Sequence, residues 1–266
     1  MPGLLDIQGE ENLISAKEQL KSGHTPMIKL NYITHSYGEK HSLQDLDLKI
    51  EANKLTCLLG SSGCGKTTIL RLIAGLEIPQ MGQVIIDDKT VSENSKIFIP
   101  PHKRDIGFIF QDLALWPHFT VYRNIAFGLS ERKPALKENN VKNIVFTMLD
   151  FFGLREHAEK YPHQLSGGQK QLVAISRSLV LKPKILLMDE PLANLDVKLK
   201  RKILEHIKDL KQNFDLTLVY VTHDHREAFA IADRIVVFNE GKIEEIGTVS
   251  QIKKSDNEFV KYFLEY

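Results

Sequence analysis

A strand-like run, Leu55 to Leu59, leads without a break into Gly60-Ser61-Ser62-Gly63-Cys64-Gly65-Lys66-Thr67. Thr68 follows, and apolar residues at Ile69, Leu70, Ile73 and Leu76 then keep helical spacing. A strand, a glycine-rich turn and a helix in that order belong to an α/β fold. The octapeptide fits G-x-x-x-x-G-K-[ST], the phosphate-binding loop. Its glycines let backbone N–H groups turn toward a polyphosphate, and the helix N-terminus adds positive partial charge. Lys66 is expected to reach the β- and γ-phosphates of a nucleotide, and Thr67 to offer its hydroxyl to Mg²⁺. Cys64 reads either as a redox switch inside the loop or as a small residue that fits it.

Strand and helix periods alternate from Met27 to about Gly247, which predicts a mostly parallel sheet. Ile185-Leu186-Leu187-Met188 is apolar on both faces, as a central parallel strand must be. Asp189 ends it and Glu190 follows before Pro191. Two successive carboxylates are costly to bury without a cation. Side-chain alternation allows Asp189 to face a metal while Glu190 faces a water beside the γ-phosphate, as general base. Roughly Thr120 to Val180 reads as more helical, residues 1–26 as a polar appendage ending at a Gly/Pro break, and the end from Thr248 as two short helices.

The remaining composition excludes classes rather than choosing one. Lys plus Arg (35) against Asp plus Glu (34) leaves a net charge of +1, so no global field favours nucleic acid or anionic lipid. Apolar runs stop well short of the roughly 18 residues of a membrane span. Met1 to Glu10 carries Asp6 and Glu10 without Lys or Arg, unlike a secretory signal. Cys57 and Cys64 cannot make a disulfide framework. These features predict a cytoplasmic protein.

Leu165-Ser166-Gly167-Gly168-Gln169 precedes a helical pattern through Leu172, Ile175 and Leu179. It reads either as a second anion nest or as an ordinary N-cap. Beside a phosphate loop, a second nest suggests a composite site shared by two copies.

The order and spacing of these motifs resemble the ABC-transporter ATPases over about Met27 to Gly247. The shared features are Gly60–Thr67, Gln111 after Ile106–Phe110, Leu165–Gln169, Ile185–Glu190, Asn194-Leu195-Asp196, and His223 in Val221-Thr222-His223-Asp224. Tyr37-Gly38 lies where the family places an aromatic that stacks on adenine. The resemblance implies a P-loop NTPase core with a mostly parallel sheet, an antiparallel β-subdomain and a helical signature subdomain at about 112–180, within an ATPase domain at 27–247 followed by a tail at 248–266. It implies a head-to-tail pair of ATPases, a homodimer or two related chains. Each ATP would lie between one Gly60–Thr67 and the partner's Ser166, Gly167, Gly168 and Gln169. Gln111 would touch Mg²⁺ and the attacking water, His223 would hold the γ-phosphate and orient Glu190, and Asp196 would cross the interface. The chain departs from the family in having Leu172 where Arg is frequent, although Arg177 is present.

Lys66 and Ser166 are too close for the long insertions of DNA-repair relatives. Gln111 to Val121 and Tyr161-Pro162-His163-Gln164 resemble importers of the sugar, iron and polyamine type. This implies a permease helix in a groove near Gln111–Thr120, a solute-binding protein in the same complex, no nucleic acid, and a place on the cytoplasmic face of the inner membrane. Substrate choice would rest with the permease and binding protein. Trp116 and Phe119 read either as groove walls or as core packing. A soluble assembly ATPase, as in iron–sulfur cluster building, is the alternative function. Lys198-Leu199-Lys200-Arg201-Lys202 reads as a solvated helix face, His225 as the second half of an H-x-H spacing with no third ligand, and Asp224 with Glu227 as a capping box.

Overall fold

The structure, a computed structural model, describes residues 26–38, 40–131, 136–193 and 195–265. The appendage read over residues 1–26 therefore lies, except for Pro26, outside the described residues, as does Asn194. Two sheets carry the fold. β1 (Pro26–Tyr37) and β2 (Lys40–Glu51) form an antiparallel hairpin, extended by β4 (Met81–Ile86), β5 (Lys89–Glu93) and β6 (Lys96–Ile97) in the order β2-β1-β4-β5-β6. The second sheet has the order β11-β10-β3-β9-β8-β7. Here β3 (Leu55–Gly60), β7 (Ile106–Ile109), β8 (Ile185–Asp189), β9 (Thr217–Thr222) and β10 (Arg234–Asn239) are parallel, and the edge strand β11 (Lys242–Gly247) is antiparallel.

The central strands are buried on both faces because each face packs on a different core. Leu186 and Met188 of β8 join Leu218 and Tyr220 of β9 in a core with Val173 and Ile207. Ile185, Leu187, Val219 and Val221 face the other way, onto Ile69 and Ile73 and onto Ile28 and Leu30 of the antiparallel sheet. That two-sided covering is why these strands read as unbroken apolar runs. The strand-like segments Ile28 to Thr34 and Leu43 to Ile50 lie within the two strands of the antiparallel hairpin. Ile28 and Leu30 are buried, then Ile33 and His35, so the inward parity flips at a register shift beside Tyr32, whose φ is 51°. A bulge of this kind breaks the period-2 pattern that marks a strand.

Helices α1 (Lys66–Ala74), α2 (Val121–Ser130), α3 (Glu138–Phe151) and α4 (Gly167–Leu179) come next, the last three lying between β7 and β8 as the sequence pattern predicts. α5 (Val197–Asn213) and α6 (His225–Ile231) flank β9, and α7 (Val249–Ile252) and α8 (Glu258–Glu265) are the two terminal helices. No helix among the described residues is long and apolar enough to cross a membrane.

One tie between α1 and the antiparallel sheet has no sequence signature. Arg104 is buried and donates to the carbonyls of Leu72, Ile73, Ile99 and Val91 and to the Ser92 hydroxyl. Leu72 and Ile73 are in the last turn of α1, whose carbonyls need partners outside the helix. Burial lowers the guanidinium pKa to about 10, so it stays charged at neutral pH. Arg104→Met is expected to destabilise the fold by about 3 kcal/mol, since each orphaned buried carbonyl costs about 1–3 kcal/mol. Urea unfolding would measure it, and a loss below about 1 kcal/mol would contradict this role.

Candidate functional site

Strand register brings the sequence motifs to one edge of the parallel sheet. Leu59 pairs with Thr222, Asp189 with Val221 and Ile109 with Met188. Gly60, Glu190, His223 and Gln111 therefore leave neighbouring strands at their C-terminal ends, where open α/β sheets form their crevice. A cleft of about 490 Å³ opens there, lined by Tyr37, Ser42, Ser62, Gly63, Gly65, Lys66, Thr67, Thr68, Gln111 and Glu190. Ser42, on β2, has no motif to announce it; its hydroxyl lies 2.9 Å from that of Thr68.

Within the loop, Gly65 has φ +105°, and a Cβ there would stand 2.6 Å from the Ser42 carbonyl oxygen. Any larger residue would push the loop off the hairpin. Ser61 and Ser62 are exposed, whereas Cys64 is buried with its Sγ 3.6 Å from Lys66 Nζ. The Lys66 ammonium donates to the carbonyls of Gly60 (2.8 Å) and Ser61 (2.7 Å). It thus lies under the loop, held by neutral oxygens.

The Thr67 hydroxyl donates to Asp189 Oδ1 at 2.9 Å. Burial raises the Asp189 carboxyl above its ordinary range and Glu190 adds to this, against the Thr67 hydrogen bond and the nearby Arg71 and Lys66. Two hard oxygen donors side by side, one a buried carboxylate, fit a Mg²⁺ that completes its shell with substrate phosphate and water. Among the described residues no group of three His, Cys, Asp or Glu could hold a metal ion without such help, and His225 belongs to none. Glu190 takes the left-handed backbone (φ 42°), turning its side chain away from the strand direction, and its Oε2 lies 3.0 Å from His223 Nδ1. Tyr37 ends β1, exposed at the cleft, with its hydroxyl 3.3 Å from Glu77.

The second candidate nest caps α4. Ser166 accepts from the Gln169 N–H (3.4 Å) while Gln169 Oε1 accepts from the Ser166 N–H (2.9 Å), a reciprocal capping box. Gln169 Nε2 also meets His157 Nε2 at 2.8 Å. The two glycines have a packing reason. A Cβ at Gly167 would stand 2.9 Å from Leu195 Cδ2, and one at Gly168 would overlap the Leu199 side chain. Asp196, between those leucines, caps α5 by accepting from the Leu199 N–H at 3.0 Å.

At the other end of α4, Arg177 donates to the carbonyls of Ala114 (2.5 Å) and Leu113 (2.7 Å) and lies 5.1 Å over the Trp116 ring. Leu113 and Ala114 both have positive φ, so the segment after Gln111 is a tight turn pinned by one guanidinium. Leu172 is buried in the core of the helical region. Phe119 lines a groove of about 470 Å³ with Tyr122, Phe127, Leu136 and Val141, whereas Trp116 packs behind it against Phe119 and Phe127.

Two readings change. The capping box read from Asp224 and Glu227 does not form: Asp224 accepts from the Arg226 N–H, and the Glu227 carboxylate is turned inward to Lys200, Tyr220 and Thr222. The Asp224 N–H that a capping box would offer already donates to the Thr222 hydroxyl, and the buried donors take the carboxylate instead. In consequence the Lys198–Lys202 run is not wholly solvated, since Lys200 points into the protein.

Comparison with known proteins agrees with this arrangement. The family described as ABC transporter matches residues 43–193. The Fe(3+) ions import ATP-binding protein FbpC of Vibrio cholerae is 46% identical over 228 residues, covering 86% of this chain and 63% of its own. The trehalose/maltose import ATP-binding protein MalK of Thermococcus litoralis is 43% identical over 239 residues, covering 89% of this chain and 64% of its own. The chain thus spans somewhat less than two thirds of these relatives. A solved dimeric structure of MJ0796, a bacterial ABC transporter cassette, superposes with a TM-score of 0.75 at 34% identity, covering 84% of this chain and 99% of that one. With the phosphate loop, the paired carboxylates, the histidine and the Ser-Gly-Gly-Gln cap placed as described, the chain belongs to the ABC transporter family.

Proposed function

We propose that this chain is the ATP-hydrolysing subunit of a membrane ABC transporter of the import type. The observation that carries the reading is the convergence of Lys66, Thr67, Asp189, Glu190, His223 and Gln111 on one crevice edge, with an exposed aromatic, Tyr37, at its mouth. In this reading residues 27–247 are the ATPase domain, about 112–180 its helical subdomain and 248–266 a tail.

ATP lays its phosphates along Gly60–Thr68, where backbone N–H groups and the start of α1 meet them. Lys66 exchanges the Gly60 and Ser61 carbonyls for β- and γ-phosphate oxygens, an ion–ion contact in place of ion–dipole ones. Thr67, Asp189 and Gln111 would hold Mg²⁺, which supplies charge neutralisation at the β- and γ-oxygens. Glu190 takes the proton of the attacking water, and His223, bonded to it at 3.0 Å, fixes the carboxylate's direction. Tyr37 stacks on the base. A second copy or a related ATPase closes the site with its own Ser166–Gln169 and Asp196.

The groove walled by Phe119, at the end of the Gln111–Thr120 segment, and by Phe127 suits an apolar helix of a permease, and a solute-binding protein would deliver cargo to that permease. This arrangement would hold the chain at the cytoplasmic face of the membrane. Purification of the tagged chain in detergent tests the reading. Mg-ATP hydrolysis together with co-purifying integral-membrane subunits is the expected result. Hydrolysis with soluble scaffold partners alone would favour the assembly-ATPase alternative, and absence of hydrolysis in the intact complex would overturn both.

A further inference from the structure

Beneath the turn that carries His223 lies a buried polar cluster that the catalytic assignments leave unused. Glu227, on α6, is 5% exposed. Its Oε1 accepts from Lys200 Nζ of α5 at 2.7 Å, and its Oε2 accepts from the Tyr220 hydroxyl at 2.9 Å and the Thr222 hydroxyl at 2.8 Å. Three elements, α5, β9 and α6, thus meet on one carboxylate. Lys200 Nζ also stands 4.0 Å from Asp224 Oδ2.

The consequence for His223 follows from the single proton of the Thr222 hydroxyl. Because that proton is given to Glu227, the oxygen is left as an acceptor, and it takes the Asp224 N–H at 3.0 Å. The two bonds close the turn Thr222-His223-Asp224 from both sides, and His223 at its apex reaches Glu190 Oε2 at 3.0 Å. Asp224 continues the chain, since its carboxylate accepts from the Arg226 N–H and side chain at the start of α6.

We propose that Glu227 is a positioning residue for the His223–Glu190 pair, acting through the Thr222 hydroxyl, with Lys200 tying this support to α5, the helix that Asp196 caps. The proposal rests on the reading of Glu190 as base and His223 as its orienting partner. A carboxylate is needed because three donors converge on it. In Gln the amide oxygen must take the Lys200 side, because the NH₂ cannot accept from an ammonium; the NH₂ then faces the two hydroxyls, and the Thr222 proton is no longer drawn inward. The turn would loosen while the phosphate loop, on another strand, stays as it is.

The test compares Glu227→Gln, Thr222→Val and their double variant with wild type and Glu190→Gln, all in the full chain. It reads steady-state Mg-ATP turnover and, separately, affinity for a fluorescent ATP analogue. Glu227→Gln and Thr222→Val are each expected to lower kcat by about tenfold or more with affinity changed by less than about threefold. The double variant is expected to be no slower than the slower single, because both remove the same support. Thr222→Ser, which restores the hydroxyl, is expected to recover most of the rate. Thr222→Val and Thr222→Ser keep the test open if Glu227→Gln does not fold. Near wild-type kcat in folded Glu227→Gln or Thr222→Val, or equal losses of kcat and affinity, would overturn the proposal. If Glu190→Gln itself turns over normally, the underlying assignment of the base fails instead.

Discussion

Glu190→Gln is expected to bind Mg-ATP and to hydrolyse it at least about 100-fold more slowly than wild type, the range that loss of a general base produces. The amide keeps the length of the side chain and its reach to His223 Nδ1, now 3.0 Å away, but cannot take a proton from water. The left-handed backbone at position 190 (φ 42°) is retained, since Gln and Glu share the same backbone preferences. Lys66, Thr67 and Asp189 remain to bind nucleotide. Uncleaved ATP would then persist between one copy's Gly60–Thr67 and the other's Ser166–Gln169. Light scattering after size exclusion should show a shift to a stable dimer with ATP, and adding Ser166→Arg should abolish it. The substitution removes the Ser166 hydroxyl, and the arginine side chain would cover the N–H groups at the start of α4. Wild-type turnover in Glu190→Gln would remove Glu190 as the base. ATP binding without dimerisation, even beside the permease, would remove the composite site.

Lys66→Ala has a different expected signature, with binding and turnover falling together. The residue is buried and its ammonium is held by the Gly60 and Ser61 carbonyls at the loop. Loss of such a preorganised charge costs about 10²–10³ in rate, and here the ground-state phosphates lose the same contact. Equilibrium titration and phosphate release would show both losses. Near-normal turnover would remove the phosphate-loop assignment. The pair of variants therefore separates the group that holds the phosphates from the group that activates the water.

How much of this was legible in the sequence depended on how local the determinant was. Gly60–Thr67 and Ile185–Glu190 could be read because a strand, its turn and the next helix are contiguous, and their periods change where the chemistry sits. Strand-like segments at Ile28 to Thr34 and Leu43 to Ile50 are legible within β1 and β2, but their antiparallel pairing is implied by the resemblance only, because the bulge beside Tyr32 interrupts the alternation. Glu227 was misread for a specific reason. Asp-x-x-Glu ahead of a helix is the pattern of a capping box, and nothing within six residues announces that Lys200 will arrive from another helix. Arg104 has no sequence signal and Arg177 is legible only as a residue of the family pattern, since a guanidinium that binds main-chain carbonyls leaves no partner residue type to look for. Gly167 and Gly168 read as the backbone of an anion nest or an ordinary N-cap, and the structure adds a packing reason that the sequence does not announce, their close leucine neighbours.

That last contact leaves no empty space between the start of α4 and the leucines on either side of Asp196. Leu195 and Leu199 bracket Asp196 in sequence, and they rest directly on the bare backbone of Gly167 and Gly168. Movement at the start of α4 would therefore press first on these two leucine side chains, between which the Asp196 cap sits. A single methyl group at either glycine would have to push the end of a leucine aside, and the disturbance would arise beside both caps without touching a phosphate or a charge.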